Sequence, residues 1–265
     1  MRIAKFFRQL GQKGFTLPEL ITVMVISTMF SALIMVFMFQ YWSSSATLQN
    51  DLDTYVGRLT AGDRLRDNLN NASGLIMQNS LPDLHPNNPD TTNGTGNYWV
   101  PIHAIPQNIP VGASGTTTPV IYFRQPAVDS NKNFIMNGTT PYDNEYVLYL
   151  DGSLGELLLR TIANSAAAGN TATSSCPPSL ASSSCPADKL IAQNINSIDT
   201  RYFSRTGNTI DYSSITDPLT GAYIGPDFTA VEVVELNMHV FKKSTLHGGQ
   251  DTSSQTIVRV ALRNG

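Results

Sequence analysis

The sequence predicts an α+β fold: one long amino-terminal helix, with a membrane-embedded half and an amphipathic half, packed on a carboxy-terminal antiparallel β-sheet head with long loops. Three observations predict it. The run Leu20 to Tyr41 contains no charged side chain. Beyond it Leu48, Leu52, Tyr55, Leu59 and later Leu65, Leu69, Ala72 and Ile76 recur at steps of three and four, the spacing of one helical stripe. Near the end Val234, Leu236, Met238 and Val240 alternate with Glu235, Asn237, His239 and Phe241, the period of a half-buried strand.

At about 1.5 Å per residue the apolar run reaches roughly 33 Å, enough to cross a bilayer core of about 30 Å. Arg2, Lys5, Arg8 and Lys13 precede it with no acid among them, and Asp51 and Asp53 follow, so the charge bias keeps the leader in the cytoplasm and exports the rest. Tyr41 and Trp42 stand at the far end, where amphipathic rings favour the headgroup layer. A secretory signal has a shorter apolar core closed by small residues, whereas this one ends in Phe39-Gln40-Tyr41-Trp42. A plain single-span anchor has the right length but leaves Glu19 unexplained. An ionised carboxylate in hydrocarbon costs about 2.5 to 3.5 kcal/mol even on a lenient scale, which asks for a partner charge.

The segment Gly14-Phe15-Thr16-Leu17-Pro18-Glu19-Leu20 resembles the prepilin signature of type IV pilins and type II secretion pseudopilins. The resemblance implies cleavage by an inner-membrane prepilin peptidase and methyltransferase between Gly14 and Phe15, with Phe15 becoming the N-methylated first residue. It gives Glu19 the family's acidic fifth position, neutralising the terminal amine of an adjacent subunit during assembly. A subunit lacking that acid is expected at the leading end of such a filament, so Glu19 argues against that position. Pro18 agrees with a helix beginning at Phe15, because it then falls among the first four residues, whose N–H groups have no intrahelical acceptor. A helix continued back through the leader would set Pro18 against the Gly14 carbonyl, at a cost of about 3 kcal/mol or more.

The expected organisation is a cytoplasmic leader over 1–14, a transmembrane and assembly helix over 15–42, an amphipathic stalk helix over 43–77 and an extracytoplasmic β-rich head over 78–265. In the stalk Gly57 and Gly62 lower helix stability and leave room for a bend. The stretch from Gln78 to Asn97, with Pro82, Pro86, Pro89 and Asn93-Gly94, reads as loop, and Pro101 to Pro119 holds short extended pieces at best. Strands are expected over Val120–Gln125, Tyr146–Asp151 and Glu156–Ala163, the last two joined as a hairpin through Gly152-Ser153-Leu154-Gly155. One or two more fall within Leu190–Arg205, then Phe228–Phe241 pairs with Thr256–Arg263 across an exposed loop. The ending Val258-Arg259-Val260-Ala261-Leu262-Arg263-Asn264 is similar to the last strand of several minor pilins and minor pseudopilins. A head larger than most major pilins need also favours a minor subunit.

Charged residues make up 14% of the chain and the net charge is −3, so there is no basic face for nucleic acid and no direct nucleic-acid binding is expected. Cys176 and Cys185, the only two cysteines, lie outside the expected membrane helix with eight residues between them. In an oxidising compartment they are expected to form a disulfide across a Ser/Ala-rich excursion; free thiols or a metal site are the alternatives, and zinc would need two further ligands. Asp83, Asn87, Asn88, Asp90 and Asn93, or Asp211, Asp217 and Asp227, offer oxygens to calcium, but their spacing matches no EF-hand loop and solvated turns are the simpler account. His85, His103, His239 and His247 are scattered, and no nucleophile–base grouping, phosphate loop or acid pair is legible. No catalytic residue, cofactor or metal is expected, and the chain reads as an enzyme's substrate rather than an enzyme.

The expected function is a structural subunit, a minor pilin or pseudopilin of a type IV pilus-like filament or its initiation complex. Its partners would be the prepilin peptidase, other pilin or pseudopilin subunits, the inner-membrane assembly platform and membrane lipid. The alternative is a membrane-tethered extracellular binding module or adhesin that does not polymerise.

Overall fold

The computed structural model describes residues 16–86, 96–100, 109–110, 117–210, 230–242 and 252–262. A single helix, α1, runs Leu17–Asn70. By its internal contacts the chain divides into two units, one taking in α1 up to Gln49 and the other beginning at Asn50. In the first unit every large apolar side chain from Leu17 to Phe39 is exposed by half or more. Thr22 and Thr28 interrupt that surface, yet each hydroxyl donates to a backbone carbonyl of its own helix, Pro18 at 2.8 Å and Val25 at 2.9 Å. Helical back-bonding of this kind makes a hydroxyl tolerable in an apolar medium.

In the second unit α1 turns Thr54, Ala61, Leu65 and Leu69 inward. Leu65, Leu69 and Ala72 were expected on the buried stripe and are buried; Leu48, Leu52, Tyr55 and Leu59 were expected there too, and all four are at least half exposed. In the turns before Leu65 the inward positions are taken by the small side chains of Thr54 and Ala61. The Thr54 hydroxyl is satisfied by the Asn50 carbonyl at 2.7 Å, which leaves its methyl free to be buried. The helix is continuous through Gly57 and Gly62. It stops at Asn70, short of the expected residue 77, within an asparagine-rich run whose side chains bond back to the last turn, Asn71 Nδ2 to the Asp67 carbonyl at 2.8 Å. Ile76 accordingly sits in a strand, β1 (Gly74–Ile76), and not on the helix.

Two antiparallel sheets follow. The first has the order β1, β3 (Thr117–Pro126), β6 (Asp143–Asp151), β7 (Glu156–Ile162), β8 (Lys189–Ala192). The second has the order β10 (Thr209–Ile210), β9 (Ile195–Phe203), β11 (Val233–Lys242), β12 (Thr252–Ala261), with β2 (Ile109–Pro110) also on β9. A small hairpin, β4 (Met136–Asn137) with β5 (Thr140–Pro141), completes the described strands. The β6–β7 hairpin and the β11–β12 pair were both expected. Val234 faces Val260 and Leu236 faces Val258, with those four side chains, Met238 and Val240 all buried. The interval expected to hold one or two strands holds two, β8 and β9, which belong to different sheets.

The chain passes from one sheet to the other between Ala192 and Ile195, and Gly155 in the β6–β7 turn makes this possible. The Gly155 carbonyl accepts from Ile195 N–H at 2.9 Å, its φ is +64°, and a Cβ there would stand 3.0 Å from the Ile195 carbonyl oxygen. One hydrophobic cluster joins Ala61, Leu65 and Leu69 to both sheets. The middle strands β6 and β7 are buried on both faces: Val147 to Leu150 and Leu157 to Leu159 are all 3% exposed or less.

Candidate functional site

Thr16 precedes the first helical residue and its carbonyl accepts the first helical bond, from Leu20 N–H at 3.1 Å. Glu19, three residues on, turns its carboxylate back so that Oε2 accepts from Thr16 N–H at 3.0 Å and from the Thr16 hydroxyl at 2.9 Å. Thr-x-x-Glu is the sequence of a capping box, and this arrangement satisfies one amino-terminal donor of the helix with a negative charge placed at the positive end of its dipole. The described helix therefore starts at Leu17, two residues later than expected, and Pro18 occupies its second position, where no intrahelical acceptor is required. Glu19 has a local partner, a role the sequence reading left out although Thr16 was visible three residues upstream. Gly14 and Phe15 lie outside the described residues. An 18-residue window of α1 has a mean hydropathy of 2.4, enough to cross a membrane by length and composition.

The expected disulfide is present: Cys176 and Cys185 are bonded, with their Cα atoms 5.6 Å apart. Cys176 N–H donates to the Pro186 carbonyl at 2.8 Å and Asp188 N–H to the Cys176 carbonyl at 2.9 Å, so the far flank of the loop is laced to its near flank. Those flanks carry Ser175 and Asp188 into the interior, where they meet Arg160 of β7.

Arg160 is fully buried. Its Nε and Nη2 donate to Asp188 Oδ1 and Oδ2 at 2.6 and 2.9 Å, and Nη1 donates to Asp83 at 2.9 Å and to the His85 carbonyl at 2.9 Å. Asp83 also accepts from the Trp99 indole at 2.8 Å, and Asp188 from the Ser175 and Tyr149 hydroxyls. The Trp99 and Tyr149 rings pack at a centroid distance of 5.1 Å. Burial opposes the Arg160 charge, but its hydrogen bonding to Asp188 and the charges of both carboxylates more than offset it and hold the guanidinium above its usual range. Burial first, and then the Asp188 charge, push the Tyr149 hydroxyl well above the ordinary phenol range, so it donates as a neutral group. A third carboxylate, Glu145 of β6, holds the loop that carries Asp83 by accepting from Ser80 and Leu81 N–H at 2.7 and 2.8 Å, and it also accepts from Arg124 Nε at 3.1 Å.

Asp83, a candidate calcium ligand, is thus committed to Arg160 and Trp99. Asn87, Asn88, Asp90, Asn93, Asp211, Asp217 and Asp227 lie outside the described residues, as do His103 and His247. His85 and His239 stand apart on the 79–86 loop and on β11. Among the described residues no group of three or more His, Cys, Asp or Glu side chains is placed to hold a metal. The Arg160 network escaped sequence reading, although a single arginine following Leu157-Leu158-Leu159 was a signal that a buried charge needed partners.

Residues 10–35 match the family model described as the prokaryotic N-terminal methylation motif. The match covers a small part of the 265 residues, and it supports a type IV pilin-like chain processed at its amino terminus. No curated protein and no solved structure matches the chain.

Proposed function

We propose that this chain is a minor pilin or pseudopilin, a structural subunit of a type IV pilus-like filament or of its initiation complex. The observation that carries the proposal is the methylation motif over residues 10–35 leading into a helix that is uncharged from Leu20 to Tyr41. In this reading prepilin peptidase cuts after Gly14, Phe15 is N-methylated, and the helix holds the subunit in the cytoplasmic membrane until it is drawn into the filament. The other partners are further pilin or pseudopilin subunits and the inner-membrane assembly platform. Helix packing then replaces lipid around the exposed apolar side chains of α1. Glu19 pairs there with the methylated amine of an adjacent subunit, in exchange for its bonds to Thr16.

Mass spectrometry of the mature amino terminus tests this. A methylated Phe15 is expected, and an intact leader in the membrane-extracted protein overturns the proposal.

One observation favours a second reading, a tethered binding module that does not polymerise: the Glu19 carboxylate already has a partner within its own helix. The two readings differ in the fate of the protein after processing. Recovery of the mature chain in sheared surface or periplasmic filaments supports the first, and its confinement to the membrane fraction supports the second.

A further inference from the structure

Among the described residues the margins of the two larger sheets are short, with one exception. The first sheet ends in β1, three residues, and β8, four residues; one margin of the second is made of the two-residue β10 and β2. Short margins are a usual protection against unwanted strand pairing. The other margin of the second sheet is β12, ten residues paired to β11 along their whole length and, among the described residues, to no strand on the other side.

The ladder sets which backbone groups are open. Leu262 N–H donates to the Glu232 carbonyl at 2.7 Å, so the even-numbered residues of β12 bond to β11, and Ser253, Gln255, Ile257, Arg259 and Ala261 direct their N–H and C=O groups to the open side. The one described contact there agrees with this phase: Arg58 Nη1 of α1 reaches the Gln255 carbonyl at 3.5 Å. Between the margin and α1 runs a groove of about 290 Å3, lined by Leu59, Gly62 and residues 255–258 together with Arg58, Asp63 and Arg66. Leu59 is 50% exposed and Ile257 59%. Arg66 pairs with Asp63 at 3.7 Å, whereas Arg58 lies over the Tyr55 ring and has no carboxylate partner among the described residues.

We propose that the β12 margin is a docking site for an extended segment of a different protein, one with alternating apolar side chains and a carboxylate that meets Arg58. The backbone of such a segment would continue the ladder at the open groups of β12. Its inward side chains would extend the Thr256 and Val258 layer onto Leu59. The surplus guanidinium in the groove selects the acid. Among the described residues a second copy of this chain does not supply the strand, because its acid-bearing strands β6, β7, β9 and β11 each already have a neighbour on both sides.

The test uses the full chain in detergent micelles and a labelled, acetylated heptapeptide of alternating valine and threonine with one central glutamate, followed by fluorescence anisotropy. Saturable binding is expected, about tenfold weaker when lysine replaces the glutamate, and Arg58→Gln should remove that preference. Ile257→Pro deletes an outward N–H while sparing the β11 ladder, so it should abolish binding with the circular dichroism unchanged. Should that variant fail to fold, hydrogen exchange decides: the peptide should slow the amides of Ile257, Arg259 and Ala261 in the unaltered chain. Absence of binding, equal binding of the glutamate and lysine peptides, or those three amides already protected without peptide would each overturn the proposal.

Discussion

Arg160 and Asp188 meet side-on, two nitrogens to two oxygens at 2.6 and 2.9 Å, with both side chains withdrawn from solvent. A bidentate pair of this kind is geometrically exacting, and here it joins the middle of a sheet to the far flank of a disulfide loop. Arg160→Met leaves Asp83 and Asp188 buried without their cation, and truncating one partner of a buried pair costs about 3 to 5 kcal/mol. The urea midpoint of the full chain in micelles should fall accordingly. A loss below about 1 kcal/mol would place this pair with the weak surface bridges instead.

Replacing Cys176 and Cys185 together by serine should cost about 2 to 4 kcal/mol, the range for bridges that close loops. The loss should be read against the same protein under reducing conditions. If the reduced wild-type chain and the double variant unfold at the same denaturant concentration, the effect belongs to the bond; a gap between them assigns it to the new side chains.

At the helix start Glu19→Ala should leave the membrane-extracted amount unchanged while lowering recovery in filaments about tenfold, equivalent to losing roughly 1.4 kcal/mol of pairing. Thr16→Val removes the hydroxyl bond to Glu19 and keeps the backbone one, so filament recovery should change little. Comparable loss in both variants would show that the carboxylate matters for starting the helix rather than for meeting a neighbour.

Asp143 supplies a pH dependence. Burial raises its pKa against the opposing effects of the Ser73 hydrogen bond and Arg124. A carboxyl whose folded pKa lies above its unfolded value holds its proton longer in the native state. Stability is therefore lost as pH rises from the unfolded pKa of 3.8 through the raised one. Asp143→Asn should flatten the thermal midpoint over that interval and leave the variant no less stable than wild type above it. A steeper profile in the variant would assign the dependence to another group.

The alternation at Val234, Leu236, Met238 and Val240 was legible because one face of that strand is solvated, and the same holds for its partner at Val258 and Val260. On the helix the expected stripe held at Leu65 and Leu69 and failed in the turns before them. There Leu52, Tyr55 and Leu59 are the larger apolar residues and stay exposed, while Thr54 and Ala61 lie inward. The Arg160 network was illegible for a different reason. Its carboxylates lie 77 and 28 positions away along the chain, and only the folded loops bring them to the same guanidinium. The capping role of Glu19 needed nothing beyond Thr16, three residues before it, and was overshadowed by the question of a distant partner.

Residues 178–184 are all exposed, while the positions flanking their loop are bonded to each other, to the sheet and, through the cysteines, to one another covalently. The fold is thereby insulated from whatever that loop spells. An affinity tag, a fluorophore site or an epitope placed there would ride on the outside of the protein without entering its packing, which makes this the position of choice for labelling the subunit in living cells.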